Sequence, residues 1–79
     1  MPKLYFDFDR DGSRFVDQEG FDLPDLEAGR DEVLRTLGEL SKSAFPKSDH
    51  QVLAAFVRDK SGNVVYSARV TVSGTWHER

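Results

Sequence analysis

The sequence predicts an α+β fold in two layers, with one helix packed on a four-stranded, mainly antiparallel sheet in the order β-β-α-β-β. Residues 23–45 have a sustained helical period, and sequence typical of a β-hairpin lies on each side of them. The two hairpins share turn chemistry, DRDG at 9–12 and DKSG at 59–62, which predicts the same turn type twice. A chain of 79 residues has room for one domain, so residues 1–79 are expected to form a single domain that ends in a short tail, 74–79.

The helix is predicted from apolar residues three, four or seven positions apart, which place one face against the core. Gly29 lies on this face and would let the helix backbone approach the sheet. Pro24 suits the first turn, where a missing N–H has no intrahelical partner, and Pro46 ends the segment. The apolar face consists of Leu26, Val33, Leu37, Leu40 and Ala44.

Strands are predicted at residues 3–9, 51–58 and 63–73, the first and the last of them from alternation with period two. A returning strand from Arg14 to Asp17 completes the first hairpin. We expect this hairpin to have a three-residue loop closed by Gly12 in the left-handed conformation.

One helix covers only one face of such a sheet, so apolar residues on the other face indicate an interface. This open face is expected to carry Tyr5, Phe15, Leu53, Val57 and Val65. With Trp76 of the tail, they are the candidate interface residues of a homodimer that forms through the open face or an edge strand. The covered face is expected to take Leu4, Phe6, Phe8, Val16, Val52, Ala54, Phe56, Val64, Tyr66, Ala68, Val70 and Val72.

Composition limits compartment and partners. The chain has no cysteine, which suits a reducing cytoplasm, and no apolar run approaches the roughly 20 residues of a membrane span. Residues 1–40 contain eleven acids and five bases, whereas residues 41–79 contain three acids and six bases. An acidic half can mark a face for a basic partner, although many of these acids lie in turns or near the helix N-terminus. The small basic excess of the second half argues against neutralisation of phosphates.

One metal-site pattern is present. Asp7, Asp9, Asp11 and Gly12 match the first six positions of an EF-hand calcium loop. The twelfth position, a bidentate Glu in such loops, is Gln18, and the preceding segment alternates like a strand. A weak calcium-binding module is therefore kept as an alternative, and no cofactor or metal is expected.

No residue pattern predicts catalysis. His50 and His77 lie in a loop and in the tail, without a second ligand at metal spacing. The serines are not in a nucleophile-elbow setting. We therefore expect a protein that is not an enzyme.

A nucleic-acid platform is the third alternative. Tyr5 and Phe15 on an open sheet face, near Arg14 and Arg69, would resemble sheets that stack single-stranded bases. Asp7 and Asp17 would share that face and repel phosphates, so we rank this alternative below a protein interface.

The first half of the chain resembles a family of short bacterial proteins of unknown function. The shared pattern is M-P-x-x-Y-F, then D-G, then Asp17-Gln18-Glu19-Gly20, then the run LPDLEAGR at 23–30. The resemblance implies no activity, ligand or catalytic residue. The sequence as a whole favours an uncharacterised bacterial protein that acts as a non-enzymatic protein-interaction or regulatory module with an unidentified protein partner.

Overall fold

A computed structural model describes residues 2–78 of the protein. Met1, the first residue of the family pattern, and Arg79, the last residue of the predicted tail, lie outside this range. The predicted α+β class and the order β-β-α-β-β are confirmed. The elements are β1 (Lys3–Arg10), β2 (Ser13–Phe15), β3 (Phe21–Asp22), α1 (Leu26–Ala44), a 3-10 turn (Phe45–Lys47), β4 (His50–Arg58) and β5 (Val64–Ser73).

The strands form one antiparallel sheet in the order β2-β1-β4-β5, and β3 pairs with β1 beside β2. The two-residue strand β3 was not predicted. It forms because Phe21 and Asp22 lie opposite Leu4 and Lys3, at the start of β1. The sheet thus has five strands, two of them short and both on the outer edge of β1.

The core lies between α1 and the centre of the sheet. Gly29 is buried there, and a Cβ on it would lie 2.7 Å from Cδ1 of Leu4. The expected close approach of helix and sheet therefore occurs at this glycine. The buried core consists of Leu4, Phe6, Val33, Leu37, Ala44, Leu53, Ala55 and Val57.

The predicted facing of β4 is wrong by one residue. Leu53, Ala55 and Val57 face the helix, whereas Val52, Ala54 and Phe56 were expected to do so. Residues 52–57 are all apolar, so alternation alone does not distinguish the two faces. Pairing decides the facing, because it sets Val57 opposite the core residue Phe6.

At the start of β5 a bulge changes the facing again. The register shifts between Val57 and Arg58, and Val64 lies opposite Arg58 on the open face. Val64 was therefore wrongly assigned to the covered face, whereas its neighbours Tyr66, Ala68 and Val70 pack against the core as predicted.

The two hairpin turns differ in length, although the same type was predicted. In the first, Arg10 pairs with Ser13 across a two-residue turn. Both of its residues, Asp11 and Gly12, have positive φ, 49° and 91°, which is typical of a type I′ turn. The expected three-residue loop is therefore wrong here. The second turn does have three residues, since Asp59 N–H donates to the carbonyl of Asn63.

The shorter first turn changes the register of β2. Phe15 lies opposite Phe8, so its side chain is on the helix side of the sheet and not on the open face. Val16 follows the end of β2 and is exposed, contrary to its assignment to the covered face.

Both helix ends are satisfied by side chains. Asp25 is the N-cap and accepts a hydrogen bond from Ala28 N–H, so Pro24 precedes the cap and does not occupy the first turn. At the other end the side-chain amide of Gln51, a buried residue of β4, donates to the carbonyl of Ala44 at 2.6 Å and to that of Ser48 at 2.9 Å. One amide group therefore joins the end of the helix to the sheet.

Candidate functional site

A groove of about 300 Å³ opens between α1 and the edge of the sheet formed by β1 and β2. It exists because α1 packs mainly over β4 and leaves the short outer strand β2 uncovered. We call it the phenylalanine groove, since four of its lining residues are phenylalanines. Its lining consists of Phe6, Phe8, Phe15, Asp17, Phe21, Glu32 and Thr36.

The aromatic rings differ in exposure. Phe6 is buried, and its ring centroid is 5.7 Å from that of Phe21 in a tilted arrangement, within the range of favourable aromatic pairs. Phe21 is 59% exposed, and Phe15 is 66% exposed. Phe15 and Phe21 thus keep more than half of their surface in solvent, next to Phe6 and Phe8, which line the groove from β1. Clustered exposed aromatic surface of this kind marks binding sites on small proteins.

The rim of the groove is acidic. It carries Asp17 from the segment after β2, and Glu32 and Thr36 from α1. Glu32 forms an exposed ion pair of 2.7 Å with Arg35. All seven lining residues come from residues 1–40, the half of the chain with eleven acids and five bases.

Asp17 shapes this end of the groove by closing a gap in the sheet. Between β2 and β3 the N–H of Phe6 has no strand partner and donates to the Asp17 carboxylate at 3.2 Å. The same carboxylate accepts from the N–H groups of Glu19 and Gly20 at 3.0 and 3.1 Å. Partial burial raises the pKa of Asp17, but these three donors and the nearby Arg58 outweigh it, so the pKa lies below its usual value. The rim carboxylate therefore stays ionised.

On the opposite face of the sheet, an ion pair supports the same segment. Arg58 donates to both oxygens of Asp7, at 2.6 and 3.1 Å, and to the carbonyl of Asp17 at 2.8 Å. Asp7 is 4% exposed and also accepts from Asp17 N–H at 3.0 Å. The hydrogen bonds to Asp7 raise the pKa of Arg58 above its ordinary value. The segment after β2 is thus tied to β1 and β4 by charged groups.

Gly20 completes this attachment. Its φ is +73°, and a Cβ there would lie 2.9 Å from Cε2 of Tyr5. Only glycine fits both the backbone and the contact. The run Asp17-Gln18-Glu19-Gly20 therefore has a structural explanation, because its first residue fills the sheet gap and its last packs on Tyr5.

Three of the candidate interface residues, Leu53, Val57 and Tyr5, do not offer a free apolar side chain on the open face. Leu53 is 2% exposed and Val57 is fully buried, so their assignment to the open face is wrong for the reason given for β4. Tyr5 does lie on the open face, but the guanidinium of Arg58 covers its ring at 5.1 Å from the centroid.

The other three candidate residues are exposed in separate places. Phe15 lies in the phenylalanine groove, on the helix side. Val65 lies at the bulge of β5, and Trp76 lies in the tail after that strand. The structure therefore does not bring the six predicted residues together.

The sequence interpretation missed Phe6, Phe8 and Phe21 as groove residues. The signal that could have found the groove is the Asp-Gly pair at positions 11 and 12, since a two-residue turn sets Phe15 beside Phe8. Phe21 had no such signal, because its position depends on the pairing of β3 with the start of β1.

The three aspartates of the calcium pattern have separate partners. Asp7 binds Arg58, Asp9 binds Arg14 at 3.0 Å, and Asp11 accepts from Val52 N–H at 2.9 Å. Within residues 2–78 no three carboxylate, histidine or cysteine side chains are grouped as a metal site requires. The strand geometry of β1 thus separates residues that an EF-hand loop would converge, and the calcium alternative has no support.

The nucleic-acid alternative loses its stacking platform. Tyr5 and Phe15 lie on opposite faces of the sheet, so they cannot stack successive bases together. The aromatic rings of the open face are already covered by cations, Arg58 over Tyr5 and Arg14 over Phe56 at 4.8 Å.

Comparison with known families matches residues 3–71 to a family described as a domain of unknown function, DUF6894. No curated protein and no solved structure is significantly similar to the chain. In the part of the chain that the structure describes, no helix combines the length and apolarity needed to cross a membrane. The match extends over both hairpins and the helix, so the chain belongs to the DUF6894 family of domains of unknown function.

Proposed function

We propose that this protein is a non-enzymatic interaction module that binds a peptide segment of a partner protein in the phenylalanine groove. The segment has one large apolar or aromatic anchor residue flanked by Lys or Arg. The observation that carries the proposal is the gathering of four phenylalanines around one groove, two of them more than half exposed, beneath an acidic rim.

The size and lining of the groove suit an anchor residue. A groove of about 300 Å³ is at the lower limit of small-molecule sites, so it favours one or two side chains over an extended cofactor. Binding energy at protein interfaces is concentrated in a few apolar or aromatic residues that enter such pockets. Phe15 and Phe21 would lose their solvent exposure when an anchor packs between them.

The charge around the groove favours basic flanks. Asp17 keeps its negative charge, and Glu32 lies on the opposite side of the opening. Opposite charge on a partner increases the association rate and aligns the segment. A Lys or Arg can also lie over the exposed rings, which adds about 0.5–1 kcal/mol per contact.

The carboxylates at the groove support binding over catalysis. Asp17 is held by three backbone N–H groups, and Glu32 pairs with Arg35. A carboxylate that acts as a general base needs to reach its substrate proton, and the hydrogen bonds of Asp17 are used inside the fold.

As part of the same proposal, the module acts in the bacterial cytoplasm. A sequence without cysteine suits this reducing compartment.

The experiment is a selection of random peptides displayed on phage against the immobilised protein. We expect enrichment of peptides with Phe, Trp or Leu flanked by Lys or Arg, and binding that weakens as salt increases. Phe15→Ser should weaken binding of the selected peptides at least tenfold. The matched control is Val65→Ser, which also removes an exposed apolar side chain but lies on β5, away from the groove.

Either of two results would overturn the proposal. One is enrichment of acidic or wholly polar peptides, or no enrichment at all. The other is equal binding of the selected peptides to the protein and to Phe15→Ser, which would place their site elsewhere.

A further inference from the structure

A second interaction surface lies at the other end of the sheet. β5 has ten residues and pairs with β4 along one side only, and within residues 2–78 no strand pairs with its other side. Proteins usually protect such an edge with proline, several charges or a short strand. β5 contains no proline, and Arg69 is its one charged residue.

The pairing with β4 shows which backbone groups point outwards. Gly74 N–H donates to the carbonyl of Asp49 at 2.7 Å, so these two residues form a hydrogen-bonded pair of the antiparallel ladder. Such pairs alternate with non-hydrogen-bonded pairs. The backbone groups of every second residue therefore point away from β4, and these residues are Ser67, Arg69, Thr71 and Ser73.

We propose that β5 pairs antiparallel with β5 of a second copy of this chain, about a two-fold axis at Val70. In this register the outward groups of Ser67 meet those of Ser73 of the second copy, and those of Arg69 meet those of Thr71. The four pairs around the axis supply about eight backbone hydrogen bonds. The result is a continuous sheet across two copies, made by the same edge on each.

Charge and regularity disfavour registers with the axis at Arg69 or at Ala68. An axis at Arg69 would set two arginines directly opposite each other, which is unfavourable. An axis at Ala68 would bring the bulge at Val65 into the ladder. An axis at Val70 uses only residues 67–73, which pair regularly with β4.

The side chains of β5 match in this register. On the helix side, Val70 meets its own copy and Ala68 meets Val72, and all three are only partly buried in one chain. Tyr66 lies opposite Gly74, where an aromatic ring can cover a glycine. The apolar strip of β5 would thereby become the centre of a larger core.

The dimer leaves the phenylalanine groove free. The groove lies at β2, and β5 is the opposite edge of the sheet. A second copy at β5 therefore does not compete with a peptide in the groove, and the assembly carries two grooves.

The experiment combines mass measurement with cysteine cross-linking. Light scattering at micromolar concentration should give twice the mass of one chain. Because the sequence has no cysteine, single cysteines report on the register. Val70→Cys should form an intermolecular disulfide within minutes of mild oxidation, since the paired Cα atoms would be about 4.5 Å apart. Val65→Cys is exposed on the same strand but off the axis, and should not cross-link.

A charge reversal gives an independent readout. Thr71→Lys sets lysine opposite Arg69 of the second copy twice per dimer and should weaken dimerisation about fivefold. Thr71→Glu should strengthen it by a similar factor. A monomeric mass, equal cross-linking of the two cysteine variants, or equal dimerisation of the two Thr71 variants would each overturn the proposal. None of these results bears on peptide binding in the groove, so the two proposals fail separately.

Discussion

The ion pair between Asp7 and Arg58 should be one of the strongest pairwise couplings in this domain. Asp7 is 4% exposed, and the Arg58 side chain is 24% exposed. Arg58 supplies two of the three hydrogen bonds that the Asp7 carboxylate accepts. Removal of either partner therefore leaves a charge in a site with little access to water.

The magnitude follows from this burial. Breaking a buried pair by removing one partner costs about 3–5 kcal/mol. Because Arg58 keeps some contact with water, we expect the lower limit, about 3 kcal/mol, for Arg58→Leu and for Asp7→Leu. The double variant leaves no unpaired charge, but Asp17 N–H and the Asp17 carbonyl lose their partners. Since an unsatisfied buried group costs about 1–3 kcal/mol, we expect the double variant to lose about 3–4 kcal/mol in total. The coupling between the two changes is then about 2–3 kcal/mol.

The assay is urea unfolding of the four proteins of a double-mutant cycle, followed by circular dichroism. A domain of this size has a free energy of unfolding of only about 4–12 kcal/mol. The cycle is therefore best measured in a background stabilised by Gly38→Ala, a change at an exposed helix position away from the pair. If the two single losses add within about 0.5 kcal/mol in the double variant, the ion pair does not hold the segment after β2 and the reasoning is refuted.

The remaining predictions concern glycines and pH. Gly38→Ala should stabilise the protein by about 1 kcal/mol, because it restores helix propensity at a position with open space around it. Gly29→Ala should instead destabilise the protein by about 1 kcal/mol, because the new Cβ meets the buried Leu4. Equal shifts of the urea midpoint for the two variants would contradict this. Gly12→Ala should cost about 1–2 kcal/mol, since φ is 91° there, and thermal unfolding measures the loss. The pKa of the Asp17 carboxyl is lowered in the folded state. Its contribution to the free energy of unfolding is therefore fully present above the pKa that Asp17 has in the unfolded chain, and it is lost as pH falls through the pKa of the folded state. The stability advantage over Asp17→Asn, about 2 kcal/mol at neutral pH, should therefore shrink below about pH 4; an advantage independent of pH would show that the charge of Asp17 is not involved.

The helix and the order of elements could be predicted because local signals determine them. The apolar period of α1 and its flanking prolines locate it within three residues at each end. The alternation of β5 gives its facing, since its polar and apolar residues separate cleanly from Tyr66 to Ser73. These features need no knowledge of the partner strands.

The facing of β4 and the phenylalanine groove depend on long-range pairing instead. Residues 52–57 are apolar on both sides, and only the contact of Val57 with Phe6 selects one of them. The first hairpin turn is one residue shorter than expected, and this difference moves Phe15 from one face of the sheet to the other. A sequence shows which residues are aromatic, but whether their side chains meet depends on such register choices.

The side-chain amide of Gln51 has a consequence for how the domain folds. Its hydrogen bonds reach carbonyl groups on both sides of the connection between α1 and β4, at Ala44, Phe45 and Ser48. Helix ends normally fray independently of the rest of a protein. Here the last turn of α1 cannot open without breaking bonds to the central strand, so amide hydrogens at the helix C-terminus should exchange at the same slow rate as those of β4. The helix and the strand that follows it then form one cooperative unit.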